Sequence, residues 1–286
     1  NTFKETITDV PGATWASGGS LNTARDQLAA AGIQTASLAF GGNAPPGNQA
    51  ITESYDGSSW TEVSDLNAAR RKLGGAGLYT SALAFGGQGS STNMGETESY
   101  NGSTWTEVND LNNARGEVGG DGTQTAALVV SGEDTANTAT VEEWDGSSWT
   151  ETTDVNTARR RGIGTGGVTG FVFSGGYSTN YTGDTETWNG SSWTEVSNLN
   201  TSRDSLGGGG VNGTGSSDTS SFVFGGATPS VTANSESWDG SSWTEVNNLN
   251  SARRNVGGFG SVSLALSAAG GPPAGTNVEA WNGTSW

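Results

Sequence analysis

The chain of 286 residues contains no cysteine and no histidine, and only one methionine and six prolines. Without cysteine there is no disulfide framework and no thiolate nucleophile. Without histidine the Ser-His and Cys-His constellations are gone, and with both residues missing so are the usual ligands of zinc and copper. Basic residues are scarce: 12 Lys and Arg stand against 29 Asp and Glu, a formal charge of −17. That balance argues against nucleic acid and against anionic membrane surfaces as partners. Long apolar runs are missing too, and no stretch approaches the roughly 18 residues of a membrane helix. These absences lead us to expect no catalytic residue, no metal and no cofactor.

What is present is glycine, at 47 residues, and 11 tryptophans in a fixed pattern. One unit recurs along the chain, and its clearest copy runs from Tyr55 to Gly87. It reads Y-D-G-S-S-W-T-E-V, crosses to Arg70, continues through a Gly-rich run, and closes with the apolar S-A-L-A-F-G-G. The Trp that follows each turn recurs at 15, 60, 105, 149, 193, 243 and 286, in steps of 45, 45, 44, 44, 50 and 43 residues. A period near 45 belongs to propeller blades rather than helical solenoids. The 50-residue step carries an extra loop, residues 210–220.

Within a unit no 3.6-residue stripe appears. Asp56-Gly57, Asn101-Gly102 and their equivalents predict two-residue hairpin turns between short strands rich in Thr, Glu and aromatics. Each copy then yields four strands. Strand A is the Gly-rich run after Arg, as in residues 73–78, with glycine suited to the crowded axis. Strand B is the apolar run before Gly-Gly, as in 81–85, expected to be covered on both faces. Strands C and D carry T-E-S-Y and W-T-E-V. The fold class is all-β: a β-propeller of four-stranded antiparallel blades in a single domain over residues 1–286.

The spacing of Arg, Gly-Gly, aromatic and Trp resembles that of kelch repeats, the blades also found in the central domain of galactose oxidase. The near-identity of the copies also resembles the amplified kelch-like repeats of phage and marine environmental proteins. The copper chemistry of galactose oxidase requires cysteine and histidine, so that activity does not carry over.

Full repeats start near residues 24, 69, 114, 158, 202 and 252, and residues 3–19 align with one further C–D hairpin. We read six blades, with the N-terminal hairpin closing the ring; seven blades is the alternative.

Carboxylates sit mostly at repeated positions in strands C and D, as at Glu53 and Glu62, which marks them as architectural or solubilising. The repeated Trp residues read as packing between blades. The cations are the informative set. All but Lys4 fall at the head of strand A: Arg25, Arg70, Arg71, Lys72, Arg115, Arg159, Arg160, Arg161, Arg203, Arg253 and Arg254. With strand A innermost they form a basic ring at one mouth of the central channel. Kelch domains that bind acidic peptides look similar there, so the resemblance implies a site for carboxylate-bearing ligands. The competing reading is that the first Arg of each copy pairs with an Asp or a backbone carbonyl of the next blade and locks the ring. The B–C loops share this mouth and differ most between copies, with Tyr177 and Tyr181 their most contact-worthy side chains.

From these features we expect a non-enzymatic recognition or adhesion module, extracellular or on a virion or cell surface, that binds a glycan or acidic protein. An assembly subunit that self-associates through its terminal strands is the alternative, and a glycan-active enzyme the third. Neither nucleic acid nor membrane insertion is expected.

Overall fold

The computed structural model describes residues 19–210 and 219–286. These residues form six blades around a central channel. Blade 1 comprises Ala29–Ile33, Ala36–Phe40, Thr52–Tyr55 and Trp60–Val63 as strands A to D. Blade 2 comprises Gly74–Leu78, Ser81–Phe85, Thr97–Tyr100 and Trp105–Val108. Blade 3 comprises Gly119–Thr123, Ala126–Glu133, Asn137–Trp144 and Trp149–Glu151, and blade 4 Ile163–Gly167, Gly170–Ser174, Thr185–Trp188 and Trp193–Glu195. Blade 5 comprises Gly207–Gly209, Ser221–Phe224, Ser235–Trp238 and Trp243–Val246. Blade 6 shows three strands among the described residues, Gly257–Gly260, Ala265–Ala268 and Val278–Trp281. Pairing within each blade is antiparallel.

Strand A packs on strand A of the next blade all the way round, including blade 6 on blade 1. Gln34 of blade 1 donates to the Trp281 carbonyl of blade 6 at 2.7 Å. The ring therefore closes at six blades and not seven. The N-terminal hairpin proposed to close it, and most of the extra loop at 210–220, lie outside the described residues.

The blades are joined by aromatic wedges. Strand B is sealed on both faces: Leu83, Ala84 and Phe85 are fully buried. In blades 2 and 3 the strand D Trp lies on the strand B Phe of the blade before, with Phe40–Trp105 centroids at 5.0 Å and Phe85–Trp149 at 5.1 Å. Its indole N–H reaches a strand C hydroxyl across the same seam: Trp105 to Thr52 Oγ1 at 3.1 Å and Trp149 to Thr97 Oγ1 at 3.0 Å. Trp286 takes this slot in blade 6, donating to Ser235 Oγ at 3.1 Å.

Two local expectations are corrected. Tyr55 pairs with Trp60, so the C–D link holds four residues, Asp56 to Ser59, not two. Asp56 Oδ1 accepts the Ser58 and Ser59 amides at 2.8 Å each, and among these residues only Gly57 has positive φ, at 93°. A two-residue I′ turn needs positive φ at both centres. Glycine in strand A answers to the neighbouring blade rather than to axial crowding alone. A Cβ on Gly75 would stand 2.8 Å from the Phe40 ring, and one on Gly120 would stand 2.7 Å from the Phe85 ring.

Candidate functional site

The segment leading into strand A builds the channel mouth from three consecutive positions in every blade. The first holds Arg25, Arg70, Arg115, Arg159, Arg203 and Arg253. Five of these are closed to solvent and Arg253 is 5% exposed. Each pairs with the strand C glutamate of its own blade: Arg70–Glu98 at 2.9 Å, Arg159–Glu186 at 2.6 Å and Arg203–Glu236 at 2.5 Å, with Arg25–Glu53, Arg115–Glu142 and Arg253–Glu279 alike. The asparagine three residues earlier completes the cluster. Asn67 donates its backbone amide and its Nδ2 to Glu98 Oε2, at 2.7 and 2.8 Å. Burial pulls the guanidinium pKa of Arg70, Arg159 and Arg203 down, while the paired glutamate raises it.

The arginine side chain thus braces its own blade, not the next one. Its main chain joins the blades. The Arg115 carbonyl accepts the Gly87 amide of blade 2 at 2.9 Å, and Gly42 to Arg70 and Gly176 to Arg203 repeat this at 2.9 Å. The strand C glutamates of blades 1 to 5 are accordingly buried and architectural, with Glu279 of blade 6 partly exposed, whereas Glu62 and its strand D equivalents face solvent.

The second position carries Asp26, Arg71, Gly116, Arg160, Asp204 and Arg254 in blades 1 to 6. Each bridges through its backbone to the start of its own B–C loop, as Arg71 does with Gln88 and Arg160 with Tyr177. The third position carries Gln27, Lys72, Glu117, Arg161, Ser205 and Asn255, all left-handed with φ between 55 and 58°. That conformation turns each amide towards the preceding blade's carbonyl. Lys72 bonds Gln27, Glu117 bonds Lys72, Arg161 bonds Glu117, Ser205 bonds Arg161, Asn255 bonds Ser205, and Gln27 bonds Asn255, at 2.8 to 3.1 Å. The six bonds form a closed belt at the mouth.

Charge around the belt is uneven. Three cations, Lys72, Arg160 and Arg161, converge on acids of blades 3 and 5. Glu117 receives Lys72 at 2.5 Å, Arg161 Nε at 2.8 Å and Arg160 Nε at 3.2 Å. Arg160 also reaches Glu133 at 2.6 Å, and Arg161 reaches Asp204 at 3.3 Å. Burial would raise the Glu117 pKa, but hydrogen bonds from Arg161 and Lys72 leave it lowered. Arg71 donates only to the neutral Gln88 Oε1, at 3.1 and 3.3 Å. Arg254 has no side-chain partner among the described residues, and both are partly exposed. Tyr177 lies under Arg160, 5.4 Å from guanidinium to ring centre, and meets Tyr181 edge-on at 5.5 Å.

Inside the mouth lies a cavity of about 160 Å³, collared by Leu28, Leu73, Val118, Leu206 and Val256. Asp121, on strand A of blade 3, lines it. Its carboxylate accepts Gly122 and Gly166 amides at 2.8 and 2.9 Å. Protein encloses this carboxyl although channel water still reaches the residue, and burial pushes its pKa up to about 7.

Of the residues singled out from sequence, the structure gathers Arg71, Arg160, Arg254 and Tyr177 with Tyr181 at the mouth, and encloses the first arginine of each blade beneath it. Sequence reasoning missed Asp26, Glu117 and Asp121. Their signal is departure from the repeat: an acid where neighbouring copies place Arg, Lys or a small residue.

No protein-family model matches this chain, and no curated protein is similar to it. Among solved structures the chain is similar to one described as "Structure of YjhT", with a TM-score of 0.74 and 11% sequence identity. The likeness covers 93% of this chain and 96% of that one. At this identity it is a likeness of fold, and the fold is the six-bladed β-propeller.

Proposed function

We propose that this propeller is a non-enzymatic recognition module of kelch-like design, working at an extracellular, virion or cell surface. It captures a carboxylate-bearing ligand, glycan or acidic protein, at the channel mouth. One observation carries the reading: Arg71 and Arg254 reach solvent at the mouth with no carboxylate partner among the described residues, while all six arginines of the first position are paired to glutamate. Guanidinium groups of that kind suit bidentate capture of a carboxylate. The B–C loops and the Tyr177–Tyr181 pair frame the same mouth and supply apolar contact beside the charge.

The test is a binding survey of multivalent protein against immobilised acidic glycans and acidic peptides, repeated with Arg71→Ala/Arg254→Ala. Binding to carboxylated ligands that disappears in the variant supports the reading. Binding that the variant retains, or none to any acidic probe, removes it.

A second reading, an assembly subunit, draws on blade 6. Its sheet ends at Val278–Trp281 among the described residues, and an outer edge is where a strand from another chain would add. Deleting residues 1–18 changes oligomeric state on this reading and leaves it unchanged on the first.

A further inference from the structure

Around the channel mouth the blades alternate in kind. At the second position the even blades carry Arg71, Arg160 and Arg254, and the odd blades carry Asp26, Gly116 and Asp204. In a closed ring of six blades, alternate blades stand a third of a turn apart, so the three arginines occupy threefold-related positions on the backbone about the channel axis. The B–C loops alternate in step. Each odd blade raises a paired ribbon: Asn43–Ala44 with Gly47–Asn48, the extended pairing of Gly132 and Glu133 with Thr138 and Asn137, and Ala227–Thr228 with Ser230–Val231. The even blades have at most a single bridge in that loop, Gln88 to Asn93 or Tyr177 to Tyr181. On the opposite face the first residue of the C–D turn alternates as well, Asp in odd blades and Asn in even ones, as at Asp56 and Asn101. Three independent features thus repeat every two blades.

We infer that the mouth face is built for a partner with threefold symmetry, a homotrimeric protein whose axis coincides with the channel and whose three chains each present carboxylates to one guanidinium. The inference rests on the recognition reading above and narrows it. The three ribbons, on the odd blades, alternate with the three arginines, on the even blades, so a trimeric tip meets the same order of elements at each third of a turn. A symmetric partner engages equivalent patches at once, and the linked contacts multiply its affinity. Arg160 is already held by Glu133 and Glu117, but its side chain is 25% exposed and its pairing with the 30%-exposed Glu133 is open to competition. The net charge of −17 of the whole chain does not prevent docking, since exposed charges beyond about 8 Å are largely screened at physiological salt.

The experiment presents one acidic tip, three glutamates at a peptide C-terminus, on a parallel trimeric coiled coil, on a parallel dimeric one and on an unassembled peptide. Binding to the immobilised propeller is measured by interferometry at equal tip concentration. The trimer should bind tighter than the dimer by roughly a hundredfold. Arg71→Ala, Arg160→Ala and Arg254→Ala should each forfeit a similar part of that gain. Equal binding by trimer and dimer, or a loss confined to one arginine, overturns the threefold inference and leaves the recognition reading standing. If no acidic tip binds in any format, the threefold inference falls, while the recognition reading is decided separately by the survey of acidic glycans and peptides.

Discussion

Arg70 and Glu98 meet at 2.9 Å in the interior of blade 2, one side chain fully closed to solvent and the other 1% exposed. Removing one partner of such a pair strands a buried charge, which typically costs about 3–5 kcal/mol. Arg70→Ala should therefore lower stability in urea melts by that amount. The double variant Arg70→Met/Glu98→Leu should recover much of the loss, because neither charge then remains unpaired. A double variant as unstable as the sum of its singles contradicts this account.

Trp149 packs on Phe85 of the preceding blade and bonds Thr97 across the seam. Trp149→Ala should cost about 3–5 kcal/mol, the range for a buried aromatic. Thr97→Val keeps the shape and orphans the indole N–H, a loss of about 1–3 kcal/mol. Unchanged thermal stability in Trp149→Ala would refute the wedge.

Ser205 stands in the belt with φ 58°. Asparagine tolerates that conformation, as Asn255 already shows at 55°, whereas a β-branched side chain does not. Ser205→Asn should be neutral, and Ser205→Val should destabilise by roughly 1–2 kcal/mol. Chemical denaturation of the two variants side by side distinguishes them.

Two carboxyls give opposite pH signatures. Asp121 has its pKa raised in the folded state from 3.8 to about 7, so the native protein holds that proton more tightly. Its contribution to stability is greatest at low pH and is lost as pH rises towards 7. Glu117 is lowered from its ordinary 4.5, so its contribution is present above that value and lost as pH falls through the folded pKa. Asp121→Asn should flatten the decline in stability between pH 4 and 8. Glu117→Gln should remove part of the acid-side loss. Urea titrations from pH 8 down into the acid range well below 4.5 read both, and an unchanged slope in Asp121→Asn contradicts the first.

The fold was legible because the repeat writes its own period: Trp60, Trp105 and Trp149 mark the blades, and Gly-Gly, or Ser131-Gly132 and Ala269-Gly270 in its place, closes each strand B. The site was half legible. Arg25, Arg70 and the other four stood out as a ring of cations, but their partners lie two strands further along the same blade, as with Arg70 and Glu98, so sequence spacing alone did not pair them. Glu53 and Glu62 looked alike as repeated acids, yet Glu53 is enclosed on Arg25, whereas Glu62, its cross-strand partner, lies on the exposed outermost strand. Asp56 with Ser58 and Ser59 concealed a four-residue link, because the side-chain oxygen substitutes for a tighter turn. Asp121 and Glu117 were passed over when averaged across copies. Within a repeat protein the exceptions carry the particular chemistry.

The closed belt from Gln27 to Asn255 has a direction: every amide points to the preceding blade. Its dipoles circulate, and by symmetry their components across the channel cancel. The belt also has no privileged joint. The bond between first and last blades, Gln27 to Asn255 at 3.1 Å, is of the same kind as the five others. A circularly permuted chain, opened at the crossing between blades 3 and 4 and joined between blades 6 and 1, would therefore meet the same clasp at every seam.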